Sequence, residues 1–246
     1  MTLTKVQQQR YDRQIHLKEI GLKGQEKLGK GKVLIVGVGG LGSSAAFYLS
    51  AAGIGTIGLV DYDKVSLSNL NRQILHFSKD IGNSKTNSAK HKLSQLNADI
   101  NILTYNKKLD EHLATSLFLE YDIIIDASDN FETKFLINDM CVKLQKPFVH
   151  AGASNFKGQI FTYTPGHTCY RCIFDKPPKG EIEKSILGVV PGILGTLQAT
   201  EAIKYILDIG RLLEDAILEI NLLDMQFRRI PVRRNPSCSV CGIGIN

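Results

Sequence analysis

Three glycines in the stretch GVGGLGS fit the pattern G-x-G-x-x-G: Gly37, Gly39 and Gly42. The first would allow a tight turn, the second would let backbone N–H groups approach phosphate oxygens, and the third would let a helix pack closely on the preceding strand. An apolar run precedes the glycines and small residues follow them. The pattern therefore predicts a strand, a turn and a helix that bind a nucleotide; a tight glycine turn without a ligand is the alternative.

An acidic residue ends the next apolar run. Asp61 closes TIGLVD, at about the separation from the glycines at which a carboxylate reaches ribose hydroxyls in nucleotide-binding folds. Together the two features predict a ligand that contains adenosine. They fit a nicotinamide-dependent dehydrogenase as well as an enzyme that uses ATP.

Basic side chains beyond this second run favour ATP. Arg72 and Gln73 end the stretch SNLNRQ, and Lys85 follows in GNSK. The pyrophosphate bridge of a dinucleotide needs little cationic help at a helix N-terminus, whereas a triphosphate and its departing pyrophosphate carry more charge. Arginine and lysine side chains suit that task, so these residues are predicted to bind phosphates.

Oxygen ligands for a divalent cation are predicted after a later apolar run. Asp126, Asp129 and Asn130 belong to DASDN, at the end of the run 121–128. If this run is a strand of a parallel sheet, its carboxyl end lies where ligands bind. A pair of oxygen ligands there would suit Mg²⁺ bridging phosphates. Asp129 is also a candidate cap of the next helix, and the two roles do not exclude each other.

Four of the five cysteines form two CxxC pairs, Cys169 with Cys172 and Cys238 with Cys241. Four thiolates are enough for a tetrahedral structural Zn²⁺ site. The gap between the pairs is longer than in a compact zinc ribbon, so a redox pair or unligated thiols remain alternatives. Cys141 stands in a predicted helix and is expected to be a buried apolar residue.

The segments that would position these residues alternate between strands and helices. A polar helical arm is predicted over residues 1–31. Strands are predicted at 32–36, 56–61, 101–105, 121–128 and 147–152, and helices at 41–52, from Ser84 as N-cap to Leu96, and at 131–145. This alternation indicates an α/β fold with a mainly parallel sheet.

After residue 152 the rhythm changes. A strand at 158–165 is followed by a polar, proline-containing stretch at 175–184, which predicts an exposed loop. A buried helix is predicted at 192–207, and strands at 216–223 and 225–232 are expected to form a hairpin at the sheet edge. One continuous domain, 1–246, is expected.

Composition is that of an ordinary globular protein, with 43% hydrophobic and 22% charged residues and a net charge of +6. The N-terminus has no apolar signal segment and no run reaches membrane-spanning length, so a cytoplasmic protein without a membrane partner is expected. The basic run 228–234 predicts either a solvated edge strand or a dock for an acidic partner face. Nucleic-acid binding is disfavoured because interleaved aromatic residues beyond Phe227 are missing.

The remaining polar residues carry weaker signals. Glu201, in the otherwise apolar helix, is expected to face solvent or a dimer contact. Five histidines show no spacing of a paired metal site and are interpreted as surface or packing residues: His76, His91, His112, His150 and His167.

In this order, the motifs resemble those of the ThiF/MoeB/HesA family of ubiquitin-activating-like adenylyltransferases. The resemblance covers nearly the whole chain and lies in RYDRQIHL, GVGGLGS, VDYDKVSLSNLNRQ, IGNSK, DASDN, CYRC, GTLQATEAIK and CSVC. It implies a Rossmann-like homodimer with helices on both faces of the sheet, extended by C-terminal strands and a zinc-bound tail. It also implies adenylation, with ATP and Mg²⁺, of the C-terminal glycine of a ubiquitin-fold sulfur carrier of the ThiS or MoaD type, for thiamine or molybdenum cofactor synthesis.

The resemblance also implies roles for single residues. Gly40 and Asp61 would contact the adenosine part of ATP, Asp129 would hold Mg²⁺ with Asn130 beside it, and Arg13 would reach the phosphate site of the other subunit. The catalytic set is Arg13, Arg72, Lys85 and Asp129. The ATP-binding set is Gly37, Gly39, Gly40, Gly42, Asp61, Ser68, Asn69, Asn71, Arg72, Gln73, Lys85, Asp129 and Asn130.

The resemblance divides the chain into an arm (1–31), a nucleotide-binding core (32–152) and a carrier-binding and zinc region (153–246). Some members carry a cysteine in the loop before LGVVPG that links covalently to the carrier. Glu181 stands at that position here, and residues 173–237 contain no cysteine. A covalent link from that loop is therefore not expected, and sulfur would come from a separate persulfide donor.

Other functions stay open beside carrier adenylation. A nicotinamide-dependent oxidoreductase would have no use for Arg72, Lys85 and Asp129, and a non-catalytic scaffold would not need the matched phosphate and metal positions. A same-fold enzyme that activates a carboxyl on modified tRNA, an ATP-dependent dehydratase, is harder to separate. The cysteine pairs favour the carrier branch over it, while the pathway, thiamine or molybdopterin, stays undecided.

Overall fold

In the computed structural model, which describes residues 2–177 and 185–242, one sheet of eight strands is the centre of the described chain. Its order is β3-β2-β1-β4-β5-β6-β7-β8. The strands are β1 Lys32–Val36, β2 Thr56–Val60, β3 Asn101–Tyr105, β4 Ile123–Asp126, β5 Phe148–Ser154, β6 Lys157–Tyr163, β7 Ala216–Asn221 and β8 Gln226–Pro231. Strands β1 to β5 run parallel, and β6, β7 and β8 extend the sheet in antiparallel fashion.

Helices cover both faces of the sheet. They are α1 Lys5–Arg10, α2 Asp12–Ile15, α3 Gly21–Leu28, α4 Gly40–Ala52, α5 Lys85–Leu96, α6 Glu111–Glu120, α7 Phe131–Lys143, α8 Tyr170–Ile173 and α9 Val189–Leu207. Alternate strand residues face opposite sides, so two cores form. Ile35 and Ile125 belong to the core that contains residues of α4 and α9. Leu34 and Ile124 belong to the one that contains residues of α6 and α7.

The reversal of strand order between β1 and β4 creates the crevice that matters for function. β1 pairs with β2 on one side and with β4 on the other, so that Val36 stands beside both Val60 and Asp126. The segments that follow these three strands diverge at the carboxyl edge. Open parallel sheets bind their ligands at such a switch point.

The strands and most helices confirm the sequence predictions, including the edge hairpin of β7 and β8. Ser84 caps α5 as predicted, and Cys141 is buried. Helix α6 was not predicted, although Asp110 caps it by accepting the Leu113 N–H at 2.7 Å. Asn130, not Asp129, caps α7, because its side chain accepts the Thr133 N–H.

Glu201 corrects another expectation. It is buried on α9, where it bonds to Thr162, Lys204 and the Leu213 N–H, so it does not face solvent. Most of the predicted loop 175–184, including Glu181, lies outside the described residues. Within the described part of the chain, no helix has the length and apolarity needed to cross a bilayer.

Candidate nucleotide site and cysteine cluster

A cavity of about 450 Å³ opens at the carboxyl edge of the parallel strands. The glycine turn after β1 and the segments after β2 and β4 form one part of its wall. Residues of β5, β6 and β7 continue the wall towards the antiparallel part of the sheet. Nine predicted ATP-site residues line it: Gly37, Gly39, Gly40, Asp61, Arg72, Gln73, Lys85, Asp129 and Asn130.

The glycine turn has the geometry that its sequence predicts. Gly37 has a φ of +97°, and a Cβ there would lie 2.5 Å from the Ala127 carbonyl oxygen. A Cβ on Gly42 would lie 2.0 Å from the Gly37 oxygen, so only glycine allows α4 to start this close to the turn. Gly39 is the N-cap of α4 without a side-chain cap. The first backbone N–H groups of α4 therefore remain available to an anion.

Asp61 shapes this turn as well as lining the cavity. Its two carboxylate oxygens accept the N–H groups of Val38 and Asp63, each at 2.8 Å. Burial raises the pKa of Asp61, while the charge of Lys85 and the two N–H groups oppose that rise. The carboxylate thus holds the backbone of the turn beside the place where the sequence predicts a ribose.

Cationic side chains face the cavity from several elements. Lys85, at the start of α5, is buried and bonds Asp63 at 2.8 Å. Two hydrogen bonds fix the guanidinium of Arg72, because its Nη1 donates to the Ser68 carbonyl at 2.9 Å and to Asn71 Oδ1 at 3.0 Å. In the described part of the chain, the lysines and arginine that line the cavity are Arg72, Lys85, Lys107, Lys108, Lys134 and Lys157. Such a wall suits a polyanion.

Several predicted residues support the site without lining it. Asn69 accepts the Ser66 N–H at 3.1 Å and so forms the turn before Arg72. Ser68 and Asn71 hold the Arg72 guanidinium, and Gly42 packs α4 on the sheet. Arg13 is exposed on α2 and is not among the residues of its own chain that line the cavity.

Asp126 was predicted as an oxygen ligand for Mg²⁺, but its carboxylate is used within the protein. It is fully buried and accepts hydrogen bonds from Ser128 Oγ at 2.6 Å and His150 Nδ1 at 2.7 Å, with Lys134 Nζ at 3.4 Å. Burial would raise the pKa of Asp126, but the Lys134 charge and the bonds from His150 and Ser128 hold the pKa down to about 2. Asp126 therefore supports the cavity from below, whereas Asp129 is exposed and lines it.

His150 and Lys134 are site residues that the sequence analysis missed. His150 was interpreted as a surface or packing residue, yet it lines the cavity and is 1% exposed. Its Nε2 has no hydrogen-bond partner among the described residues. The usable signal is register, since His150 stands directly beside Asp126 at the edge shared by β4 and β5.

The four paired cysteines meet beside the antiparallel half of the sheet. Their Sγ atoms all lie within 4.8 Å of one another. Cys169 lies 3.7 Å from Cys238, and Cys172 lies 3.3 Å from Cys241. A tetrahedron with Zn–S bonds of about 2.3 Å has sulfur atoms about 3.8 Å apart, so this donor set fits zinc. The structure confirms that the two distant pairs converge.

A comparison with protein families decides the relationship. The model of the ThiF family matches residues 11–240, and this range contains the glycine turn, Arg72, Lys85, DASDN and the first CxxC pair, and it ends one residue before Cys241 of the second pair. The chain belongs to the ThiF family.

Curated relatives of this ThiF-family chain include named adenylyltransferases. The sulfur carrier protein adenylyltransferase of Thermus thermophilus is 41% identical over 98% of this chain and 93% of its own length. The SAMP-activating enzyme E1 of Haloferax volcanii is 40% identical over 99% and 92%. Adenylyltransferase and sulfurtransferase MOCS3 of Anopheles gambiae is 44% identical over 94% of this chain, which spans about half (54%) of the MOCS3 length. The class of enzyme is therefore adenylyltransferase.

Solved structures agree on the fold. Escherichia coli MccB crystallised with ATP superposes with a TM-score of 0.84 at 28% identity, over 94% of this chain and 74% of that one. MccB with AMPCPP and MccA gives a TM-score of 0.85 at 29% identity, over 95% and 74%. The predicted α/β class of the ThiF-family chain is confirmed.

Proposed function

We propose that this chain transfers AMP from ATP to the C-terminal glycine carboxylate of a small ubiquitin-fold sulfur carrier of the ThiS or MoaD type. The observation that carries the proposal is that the glycine turn, Arg72, Lys85 and Asp129 line one cavity. The names of two relatives, sulfur carrier protein adenylyltransferase and SAMP-activating enzyme, support a protein acceptor. Residues 1–246 act as a single adenylation domain in this proposal.

The reaction needs alignment and charge stabilisation more than a protein nucleophile. A carboxylate oxygen of the carrier attacks the α-phosphorus of ATP, the bond to the bridging oxygen breaks, and pyrophosphate leaves with its electron pair. The N–H groups at the start of α4 hold phosphate oxygens, and Arg72 and Lys85 stabilise the negative charge of the leaving group. Asp129 would hold Mg²⁺, which neutralises phosphate charge when bound. A nicotinamide cofactor would leave this set of cations without a task.

An exposed apolar patch beside the cavity is the proposed docking surface for the carrier. Phe156, Leu223 and Met225 are exposed in the β5–β6 and β7–β8 connections, and Phe227 is exposed at the start of β8. The two connections are joined, because Leu222 N–H donates to the Phe156 carbonyl at 2.9 Å. Lys157 and Glu219 on the neighbouring strands line the cavity. The body of the carrier docks on this apolar patch, and its C-terminal tail enters the cavity. After adenylation, a separate persulfide donor attacks the carbonyl carbon of the carrier adenylate, and AMP leaves.

A second copy of the chain completes the site. Leu67, Ile74, Leu187 and Val189 are exposed on two segments that abut beside Arg72, since a Cβ on Gly188 would lie 2.3 Å from the Asn71 carbonyl oxygen. In the proposed homodimer the partner covers this patch and brings its own arm, with Arg13, to the phosphates.

Mixed dimers test the shared site. Arg13→Ala and Arg72→Ala chains, each inactive alone, would form one complete site per mixed dimer, because each intact arginine comes from a different chain. Random mixing should restore about a quarter of the unaltered activity for a symmetric dimer. No recovery in mixtures shown by native mass spectrometry to contain mixed dimers would contradict the shared site.

The cysteine cluster binds a structural Zn²⁺ that fastens the C-terminal tail to the segment after β6. Metal analysis of the purified protein should find zinc, and Cys238→Ser should lose it. Cys141→Ala, a change at a buried cysteine outside the cluster, is the matched control and should retain it. Less than about half an equivalent of zinc per unaltered chain would argue against the site.

The decisive experiment is to mix the protein with ATP, Mg²⁺ and each candidate carrier, and to follow the carrier by mass spectrometry. An adenylate on the terminal glycine is expected, and the carrier that accepts it identifies the pathway. A carrier without its terminal glycine is the control. The proposal fails if every carrier stays unmodified, and NAD(H) binding or adenylation of modified tRNA would then identify which alternative is right.

A further inference from the structure

A chain of hydrogen bonds lies beneath the glycine turn. Lys92 Nζ lies 2.9 Å from Ser88 Oγ, Ser88 Oγ lies 2.9 Å from His76 Nδ1, and His76 Nε2 lies 2.9 Å from the Val38 carbonyl oxygen. The three side chains are buried, and Lys92 also pairs with Asp80. None of them lines the cavity within the described part of the chain.

Chemistry fixes the direction of each bond. A carbonyl oxygen only accepts, so His76 Nε2 carries the proton that it donates to Val38. In a neutral imidazole Nδ1 then accepts, and the Ser88 hydroxyl donates to it while accepting from the Lys92 ammonium. Burial lowers the pKa of His76, and this effect together with the charges of Lys92 and Lys85 outweighs the bond to Val38 and the charge of Asp80, which raise the pKa. The net direction favours the neutral ring that the network uses.

The bond from His76 has a consequence on the other side of the peptide plane. In a trans peptide the N–H of residue i+1 points opposite to the C=O of residue i. With the Val38 carbonyl held by His76, the Gly39 N–H is turned away from the ring, and Gly39 lines the cavity. This N–H has no acceptor among the described residues. Asp61 holds the Val38 N–H, so both polar groups of Val38 are fixed.

The same network connects the turn with a cationic clamp. Lys85, Ser88 and Lys92 stand at positions i, i+3 and i+7 of α5 and share one helix face. We propose that His76 is a positioning residue that directs the Gly39 N–H at the phosphates of ATP and, through Ser88, sets the spacing between the glycine turn and Lys85. The proposal rests on the ATP-binding part of the proposed function.

Two substitutions of His76 separate positioning from packing. The side-chain amide of His76→Gln can replace Nε2–H as donor to Val38, whereas His76→Leu fills similar space without a donor. Isothermal titration calorimetry with Mg²⁺ and ATP, without carrier, measures the effect. His76→Leu should weaken ATP binding by about tenfold, the scale of one lost and well-placed hydrogen bond, and His76→Gln should stay within about threefold. Adenosine, which has no phosphates, should bind all three proteins within about threefold.

The control series keeps the proposal open to refutation. If His76→Leu does not fold by thermal unfolding, Ser88→Ala replaces it and should weaken ATP binding about threefold, while Ser94→Ala on the exposed side of α5 should not. Equal ATP affinity of the leucine and glutamine variants, or an equal loss for adenosine and ATP, would overturn the positioning role. If the unaltered protein binds no ATP, both the proposed function and the positioning role of His76 fail. If it binds ATP and adenylates a carrier, the proposed function stands and the variants test the positioning role alone.

Discussion

Two buried carboxylates, Asp126 and Glu201, occupy opposite faces of the sheet at nearly the same level. Asp126 stands beside His150 and Phe161 in the strand register, and Glu201 bonds Thr162, the next residue of β6. The partners of Asp126 are Ser128, His150 and Lys134, which all line the cavity. His150 bonds Asp126 through Nδ1, and its Nε2 has no partner among the described residues. Glu201 uses its oxygens on Thr162, the Leu213 N–H and Lys204, and does not line the cavity.

The difference shows two uses of a buried charge in one sheet. On the face of α7, the charge keeps a lysine and a histidine in place at a cavity wall, so that ligand groups meet a preorganised surface. On the face of α9, the charge fastens the segment before β7 to the sheet. We therefore expect changes at Asp126 to affect stability and activity together, and changes at Glu201 to affect stability alone.

The largest expected effect is that of Asp126→Ala. It leaves Lys134 buried without its carboxylate, and breaking a buried charge pair in this way costs about 3–5 kcal/mol of unfolding free energy. Urea denaturation followed by circular dichroism measures the loss. Asp99→Ala, at an exposed carboxylate, is the matched control and should change stability by less than about 0.5 kcal/mol. A loss below about 1 kcal/mol for Asp126→Ala would show that the network does not hold this face.

Arg72→Ala sharpens the comparison from the activity side. Both side-chain hydrogen bonds of Arg72 go to exposed residues of its own turn, so the variant should keep its denaturation midpoint while turnover falls about 10²–10³-fold, the usual scale for one lost charge-stabilising donor. Carrier-dependent ATP–pyrophosphate exchange measures this. Lys90→Ala, on the exposed side of α5, is the control and should keep its activity. Unaltered exchange rates in Arg72→Ala would refute its role.

How far the sequence predicts this site depends on how local each signal is. Gly37, Asp61, Lys85 and Asp129 each follow directly from a strand end or a helix start, so reading one segment at a time was enough to bring them to the cavity. The cysteines were predictable despite lying 69 positions apart, because each CxxC pair carries its own spacing.

The roles of the missed residues depend on which strands are neighbours in the sheet, and the hydrophobic periodicity of the sequence does not reveal that order. His150 matters because β5 lies beside β4 and places it next to Asp126; read along the chain, it is one histidine in an apolar run. The prediction for Glu201 was wrong for a similar reason, since its partner Thr162 lies 39 residues earlier in the chain, on β6. Helix α6 was missed because only its cap, Asp110, is a strong local signal.

Acid should reduce the free energy of unfolding through Asp126, by less than the substitution Asp126→Ala does. The folded pKa of Asp126 is about 2, below its ordinary value of 3.8, so its stabilisation is present above pH 4 and is lost as pH falls towards 2. We expect the unfolding free energy of the unaltered protein to decrease over this range by about 2 kcal/mol more than that of Asp126→Asn. Urea denaturation at a series of pH values measures both. Parallel curves for the two proteins would mean that Asp126 titrates normally in the folded chain.

The smallest expected effect tests the other face. Glu201→Gln keeps the shape of the side chain and an oxygen acceptor, but removes the charge that pairs with Lys204, so a loss on the order of 1 kcal/mol is expected. Carrier-dependent exchange at 25 °C should stay unaltered, because Glu201 is not among the described residues that line the cavity. Glu120→Gln, exposed at the end of α6, is the matched control for stability. If Glu201→Gln lowered turnover as strongly as it lowered stability, the two faces would be coupled, and the division of labour between the two carboxylates would be wrong.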